Sequence, residues 1–281
     1  MSMPLPAPTL DHVVINTRDR LDEAVELYRL LGFTMTPRGH HSLGSMNHLA
    51  IFGTEYLELL AAGTGPNQRP DIMQNPIGLN GLVFGTENSA TTFAAMELAG
   101  VPVFPPGEFS RPVALPEGTR DAVFRTVRLM PGVSPAGRLY FCHHFTRDLV
   151  WRDEWRHHAN GVTGVARAII VARDPSDFRA LFSRMFGADS LRPIDGGFAL
   201  AVGMSRFDIV TPGEFQAEFN DPSADGGGRD TFMAALEFRT RSVDAAWEAM
   251  DSGDVTGARR DHGRVIVPAD AACGATLAFC L

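Results

Sequence analysis

The chain has 281 residues, 44% of them hydrophobic, and a formal net charge of −8, enough for one large core or two ordinary ones, since domains usually run to about 100–200 residues. An acidic balance of 25 Lys+Arg against 33 Asp+Glu, with no concentrated basic patch, excludes a surface built to read nucleic-acid phosphates and points to a small-molecule partner. Three cysteines, Cys142, Cys273 and Cys280, without CxxC spacing, exclude a disulfide framework and a cysteine zinc site.

The opening MSMPLPAPTL has no basic stretch leading into an apolar one, and no segment approaches the roughly 18 uncharged apolar residues of a membrane span. A soluble, cytoplasmic protein is expected, with no membrane partner. The first strand is LDHVVINT, an apolar run interrupted by His12. In RLDEAVELYRLLG, residues Leu21, Ala24, Val25, Tyr28 and Leu31 share one helical face before Gly32 ends it. Asp19 and Arg20 supply the expected cap region. Three extended runs follow, FTMTPRGHH, NHLAIFG and YLELLAA, the last two joined by a turn at Gly53 and Thr54. The unit is βαβββ.

The unit recurs from Gly81 as GLVFGT, the helix SATTFAAMELAG, then VPVFP, AVFRTVRLM and RLYFCHHF, with a Pro-rich excursion between Pro105 and Pro116. A third copy runs through VARAIIVARD, DPSDFRALFSRMFGA, a short run near Ser190, GFALAVG and RFDIVTP. A fourth closes the chain with FMAALEFRT, SVDAAWEAMDSG, GRVIVP and TLAFCL. Fixed self-similarity of this kind outranks any single motif in assigning architecture. The modules span about 9–62, 80–146, 164–212 and 230–281. A packed connector, 147–161, ends the first domain at Gly161, and 162–281 form the second. The stretch TPGEFQAEFNDPSADGGGRD between copies three and four reads as a loop, mobile at its Asp/Gly-rich end.

Paired βαβββ units, with His12 opening the first strand and YLELL closing the first copy, resemble the vicinal oxygen chelate superfamily, the group of glyoxalase I, extradiol dioxygenases and bleomycin-resistance proteins. More narrowly, GHHSLGSMNHLAIFGTEYLELL and FCHHFTRDLVWRDEWRHHANGV resemble its glyoxalase-like branch, over about the first 165 residues. The resemblance implies an α+β fold in which two modules pair into a cupped half-barrel, with a divalent metal in the cup. Ligands come from first and last strands, where inward side chains converge.

Aligning the copies places His12 on the first strand and Glu58 on the last strand of copy one. In copy two the first-strand position, Asn80 to Leu82, offers no strong ligand, whereas RLYFCHHF offers two histidines. Cys142 aligns with Glu58, and period-two alternation puts His144 on the same side. The expected metal set is therefore His12, Glu58 and His144, suited to Fe, Mn, Ni or Zn. Asn47, His48, Tyr140, His143, Trp151 and His158 are expected around the substrate pocket. In copy three Arg167 takes the His12 position and Asp208 the Glu58 position, a charge-assisted pair in place of ligands. The second domain therefore reads as a metal-free companion.

Each of these residues has an ordinary alternative. His12 alone is explained by a hydrogen-bonded core imidazole, and Glu58 by an ion pair with an arginine such as Arg125. No P-loop, GxGxxG, HExxH or GxSxG pattern occurs, so no nucleotide cofactor and no serine-hydrolase or zincin chemistry is expected. The functional expectation is a metal-dependent lyase, isomerase or dioxygenase acting on a small vicinal-oxygen substrate. The alternative is a non-catalytic small-molecule-binding protein of the bleomycin-resistance kind. A homodimer is compatible with either.

Overall fold

A computed structural model of the chain describes residues 5–63 and 69–281. The first half contains β1 (Leu10–Arg18), α1 (Leu21–Leu30), β2 (Gly39–His40), β3 (Ser45–Ile51), β4 (Tyr56–Ala62), α2 (Pro70–Gln74), β5 (Gly78–Gly85), α3 (Ser89–Leu98), β6 (Gly107–Leu115), β7 (Gly118–Arg128) and β8 (Arg138–His144). The second contains β9 (Val162–Ala172), α4 (Ser176–Phe186), β10 (Leu191–Ile194), β11 (Gly197–Val202), β12 (Ser205–Val210), α5 (Pro212–Phe219), β13 (Thr231–Thr240), α6 (Val243–Ser252), β14 (Arg259–Asp261), β15 (Arg264–Val267) and β16 (Thr276–Cys280). No helix among the described residues is long and apolar enough to cross a membrane.

The strands form two eight-stranded mixed sheets of identical plan, β2-β3-β4-β1-β5-β8-β7-β6 and β10-β11-β12-β9-β13-β16-β15-β14. In each, the first strands of two modules pair antiparallel at the centre, and each module's last strand lies parallel to its first. This is the α+β arrangement of four βαβββ modules in two cupped half-barrels that the repeats and the family resemblance together implied. The edges of the first sheet meet: the Ser42 amide donates to the Ser110 carbonyl at 2.8 Å, and the Ser110 amide to Ser42 Oγ at 3.1 Å. That cup is nearly a closed barrel.

Alternation along the strands separates two environments. Val13, Ile15, Leu57, Leu82 and Phe84 of the first sheet share one continuous core with Ile170, Phe207, Leu236, Phe238 and Phe279 of the second. Phe84 lies 4.7 Å from Phe186 and 5.5 Å from Phe207 between ring centres, and Phe33 lies 5.3 Å from Phe238. The sheets thus stand back to back, and their opposite faces line separate cups. The α1 helix buries Leu21, Ala24, Val25 and Tyr28, as its spacing predicts, but Arg20 makes no side-chain cap. Gly32 is at φ +82°, and a Cβ there would meet the Ala249 Cβ at 2.7 Å, so glycine serves both the turn and the approach of α6.

Several elements depart from the sequence reading: VPVFP forms only an isolated bridge, Val103 to Leu129, and α2 was not anticipated. FTMTPRGHH supplies only the two-residue β2. The Pro-rich stretch is not an excursion but β6, paired with β7 from Gly107↔Thr126 to Leu115↔Gly118; Pro112 is tolerated because this is the sheet's edge. The loop after copy three begins with α5, whose start is capped by the Thr211 hydroxyl and carries Pro at its first position, and whose end is Asn220 in the left-handed region. Phe215 and Phe219, one turn apart, drive it into the second cup.

Candidate functional site in the first cup

A cavity of about 760 Å³ occupies the first cup. His12 and Glu58 both reach its wall, each at most 5% exposed. His12 pairs across the sheet with Tyr56, and Glu58 with Val14, so the two residues sit two positions apart on parallel neighbours and face the same way. His12 Nε2 is 3.7 Å from Glu58 Oε2. Asn47 Nδ2 donates to Glu58 Oε1 at 2.6 Å. The ordinary alternative for Glu58 is not what is found, because Arg125 pairs with Glu108 at 2.6 Å.

The β1–β5 register slips between Leu10 and His12, leaving Asp11 as a bulge residue whose carboxylate reaches both His12 and His144. Asp11 Oδ1 accepts from His12 Nδ1 at 2.6 Å and from His144 Nε2 at 3.0 Å. Burial opposes ionisation of Asp11, but the His144 charge and the hydrogen bonds from both imidazoles overcome it and hold the carboxyl well below the usual range. An ionised Asp11 fixes the proton of His12 on Nδ1 and leaves the Nε2 lone pair toward the cavity. There the Tyr140 hydroxyl donates to it at 3.1 Å. Tyr56 stacks on the other side of the imidazole, ring centres 4.4 Å apart and planes 9° from parallel.

Tyr140 therefore takes the position that aligning strand ends gave to Cys142: His12 pairs with Val83 of β5, and Val83 with Tyr140 of β8. His144 does share the side of Tyr140 and Cys142, but its Nε2 is spent on Asp11, and its Nδ1 is buried without a hydrogen-bond partner among the described residues. Donor atoms of Asp11, Cys142 and His144 lie within 4.8 Å of one another, the group of three metal-competent side chains found among the described residues. Burial pushes the Cys142 thiol well up, with Asp11 and Glu58 adding to the shift, so it holds its proton.

Of the expected pocket residues, the structure brings Asn47 and Tyr140 to the cavity wall. Alternation on β3 turns His48 away, toward the Thr36 carbonyl at 2.7 Å. His143 faces opposite to His144 and packs on Phe145, ring centres 4.3 Å apart. Trp151 packs behind His144 at 4.9 Å. His158 accepts the Thr34 amide at 3.0 Å and lies 2.9 Å from the Ile51 carbonyl, locking the connector rather than lining the cavity.

Sequence reasoning missed Asp11, Arg111 and the part played by His41. Asp11 was visible only as the neighbour of His12, since nothing local announces a bulge. His41 Nδ1 is 2.8 Å from Ser45 Oγ and its Nε2 accepts from Asn47 at 3.2 Å. Burial pushes His41 down to about 4, Glu58 opposing and Arg111 adding to the effect, so it is a neutral member of the wall. Burial, with Glu58 adding, likewise raises both Tyr56 and Tyr140 well above the ordinary phenol range.

The second cup repeats the geometry with other residues. Arg167 pairs with Arg206, and Asp208 with Ile169, the register of His12 with Tyr56 and of Glu58 with Val14. Arg167 donates to Asp208 at 3.1 Å and Glu237 at 2.9 Å, and also binds Glu218 of α5. Burial works against its charge, and the three carboxylates more than reverse that.

A family model described as a glyoxalase-like domain matches residues 10–186. The chain belongs to the glyoxalase-like domain family. No curated protein matches it by sequence. Among solved structures, the family's architecture recurs in a hypothetical protein from Staphylococcus aureus, with a TM-score of 0.69 and 12% identity over 96% of this chain and 98% of that one. A mutant 4-hydroxymandelate synthase from Streptomyces coelicolor superposes with a TM-score of 0.56 and 13% identity over 99% of this chain and 92% of its own. A xylose isomerase-like TIM barrel/4-hydroxyphenylpyruvate dioxygenase fusion protein gives a TM-score of 0.60 and 11% identity, covering 99% of this chain and 49% of the fusion. At these identities the likeness is one of fold.

Proposed function

We propose that the protein is a metal-dependent enzyme of the glyoxalase or dioxygenase type, acting on a small vicinal-oxygen substrate in the first cup. The supporting observation is the His12 imidazole, held by Asp11 on one nitrogen and offering the other toward Glu58 on the wall of the cavity. A carboxylate behind a histidine is the usual support for a metal-ligating imidazole. The donors fit a divalent cation: His12 through Nε2 and Glu58 through Oε2 would hold it, with its remaining positions facing the cavity. His144, the third ligand suggested by the sequence, serves in this arrangement to hold Asp11. A bound divalent metal would supply Lewis-acid polarisation of substrate oxygens.

The chain's own residues do the rest. Asn47 holds the Glu58 carboxylate by a charge-assisted bond, and Asp11 holds the imidazole plane. Tyr140, its phenol pushed far above neutrality, is a proton donor to an oxygen at His12 Nε2 and not a base. Leu49, Phe109 and Phe124 line the wall and exclude water from the reacting oxygens.

Elemental analysis of protein purified without added metal, beside His12→Ala and Glu58→Gln, tests the reading. Stoichiometric Fe, Mn, Ni or Zn that both substitutions abolish is the expected result. Its absence from the parent protein leaves the small-molecule-binding alternative. Oxygen uptake with catechols against isomerisation of hemithioacetals separates dioxygenase from glyoxalase chemistry.

A further inference from the structure

One charge in the first cup has no part in the proposed metal site. Arg111, on β6, is 7% exposed and lines the cavity. Of the other arginines of the wall, Arg69 donates to Asp71 at 2.6 and 2.8 Å, Arg138 to the Asn80 side chain at 3.2 Å and Arg229 to the Gly226 carbonyl at 2.7 Å, while Arg128 is exposed to solvent and lies over the Phe104 ring. Among the described residues no carboxylate lies within ion-pair distance of the Arg111 guanidinium, and residues 1–4 and 64–68 contain no acid. Burial works against its charge; Tyr56 and Glu58 are the groups that favour it. Glu58 is itself committed to Asn47 and to the space beside His12. A buried cation without a counter-ion is costly, and a fold that retains one facing a cavity has reserved it for something that enters.

The space around Arg111 is built for it. A Cβ on Gly39 would sit 2.3 Å from Asn47 Oδ1 and 3.0 Å from Arg111 Cδ, so the glycine leaves room for both side chains. Beside the guanidinium's strand, Phe109 and Phe124 stack at 5.1 Å with planes 21° apart. One guanidinium presents a planar pair of donors that matches a carboxylate in two-point contact. The apolar walls suit a hydrocarbon or aryl body better than a multiply charged phosphate.

We infer that Arg111 anchors the carboxylate of a small organic acid with an apolar body, whose other oxygen functions are thereby turned toward His12 and Glu58. The orientation follows from charge: the acid's carboxylate is drawn to Arg111 and repelled by Glu58. The inference deepens the reading of this cavity as the substrate site, and it does not require that a metal be present.

Calorimetric titration with phenylacetate and hexanoate, each beside its neutral amide, tests it in native protein, Arg111→Met and Arg111→Lys, before and after chelator treatment. The acids are expected to bind native protein about ten- to a hundredfold more tightly than the amides, the range of one charged hydrogen-bonded contact. Arg111→Met removes that preference and Arg111→Lys keeps part of it, with unchanged circular dichroism in both. Equal binding of acid and amide, no binding of either acid at millimolar concentration, or acid binding that survives Arg111→Met overturns the inference. An Arg111-dependent acid preference in protein that never holds a metal leaves it standing while the metal reading falls.

Discussion

The two cups are built on one plan and have settled their charges in opposite ways. In the first, the sheet edges meet through Ser42 and Ser110, and His12, Glu58 and Arg111 line the cavity. In the second, α5 fills the interior with Phe215 and Phe219, and Arg167 is neutralised by Asp208, Glu218 and Glu237. Arg264 adds bonds to Glu218 and Glu237 at 2.9 and 3.2 Å. The same strand position can therefore hold either a reactive donor or a structural ion pair. What decides is whether the partner charge comes from the protein or from outside.

The sharpest way to break this contrast is to remove the central charge of the second cup. Arg167→Met strands several buried carboxylates and is expected to cost about 3–5 kcal/mol, read by chemical denaturation. A loss below about 1 kcal/mol would mean the network is not what closes that cup.

Acid should discriminate between the halves, because eight of the nine histidines precede Gly161 and only His262 follows. His158 has its ordinary value of 6.5 pushed down to about 4 by burial, the Ile51 carbonyl opposing. Its Nδ1 accepts the Thr34 amide, which leaves no place for a second proton. Above 6.5 both folded and unfolded chains are neutral there. As pH falls the unfolded chain protonates first, so stability declines until about 4, where the folded imidazole also titrates. The same window holds for His41. The contribution of His158 reaches at most about 3 kcal/mol, and His158→Gln, which keeps a donor and an acceptor, should flatten the decline by one proton. An unaltered pH profile in that variant would remove His158 as its source.

Gly39→Ala pushes a methyl group against Asn47 and Arg111 and should destabilise by about 1–3 kcal/mol, measured as a lowered Tm together with weaker acid binding. Smallest is Arg111→Met, expected to stabilise the fold by about 1 kcal/mol through relief of an unpaired buried charge. Opposite signs for Arg167→Met and Arg111→Met would express the contrast between the cups in one experiment.

The four modules and the correspondence of His12 with Arg167 were legible because hydrophobic alternation and helix spacing are local signals repeated four times; the pairing of modules into cups came only with the family resemblance. Proximity of His12 to Glu58 followed from the same register. The Asp11 bulge and the β1–β5–β8 register that brings Tyr140, not Cys142, to His12 were not legible, since both are set by pairing between distant strands. β6 was hidden by its prolines, which an edge strand tolerates. α5 was readable in hindsight: Thr211 before Pro212, Phe215 and Phe219 at helical spacing, Asn220 at the end. The Gly-rich stretch that follows it has the composition of a loop.

The back-to-back core has a consequence for how such a chain can change over time. Each strand carries two independent messages, one on its cup side and one on the side that meets the other sheet. Drift on the cup side of the second half could erase or replace chemistry without disturbing Phe207, Phe238 or Phe279 on its back. The second half, its cup filled by α5, still serves as the other's inner wall, and its loss would expose the face on which the first half rests.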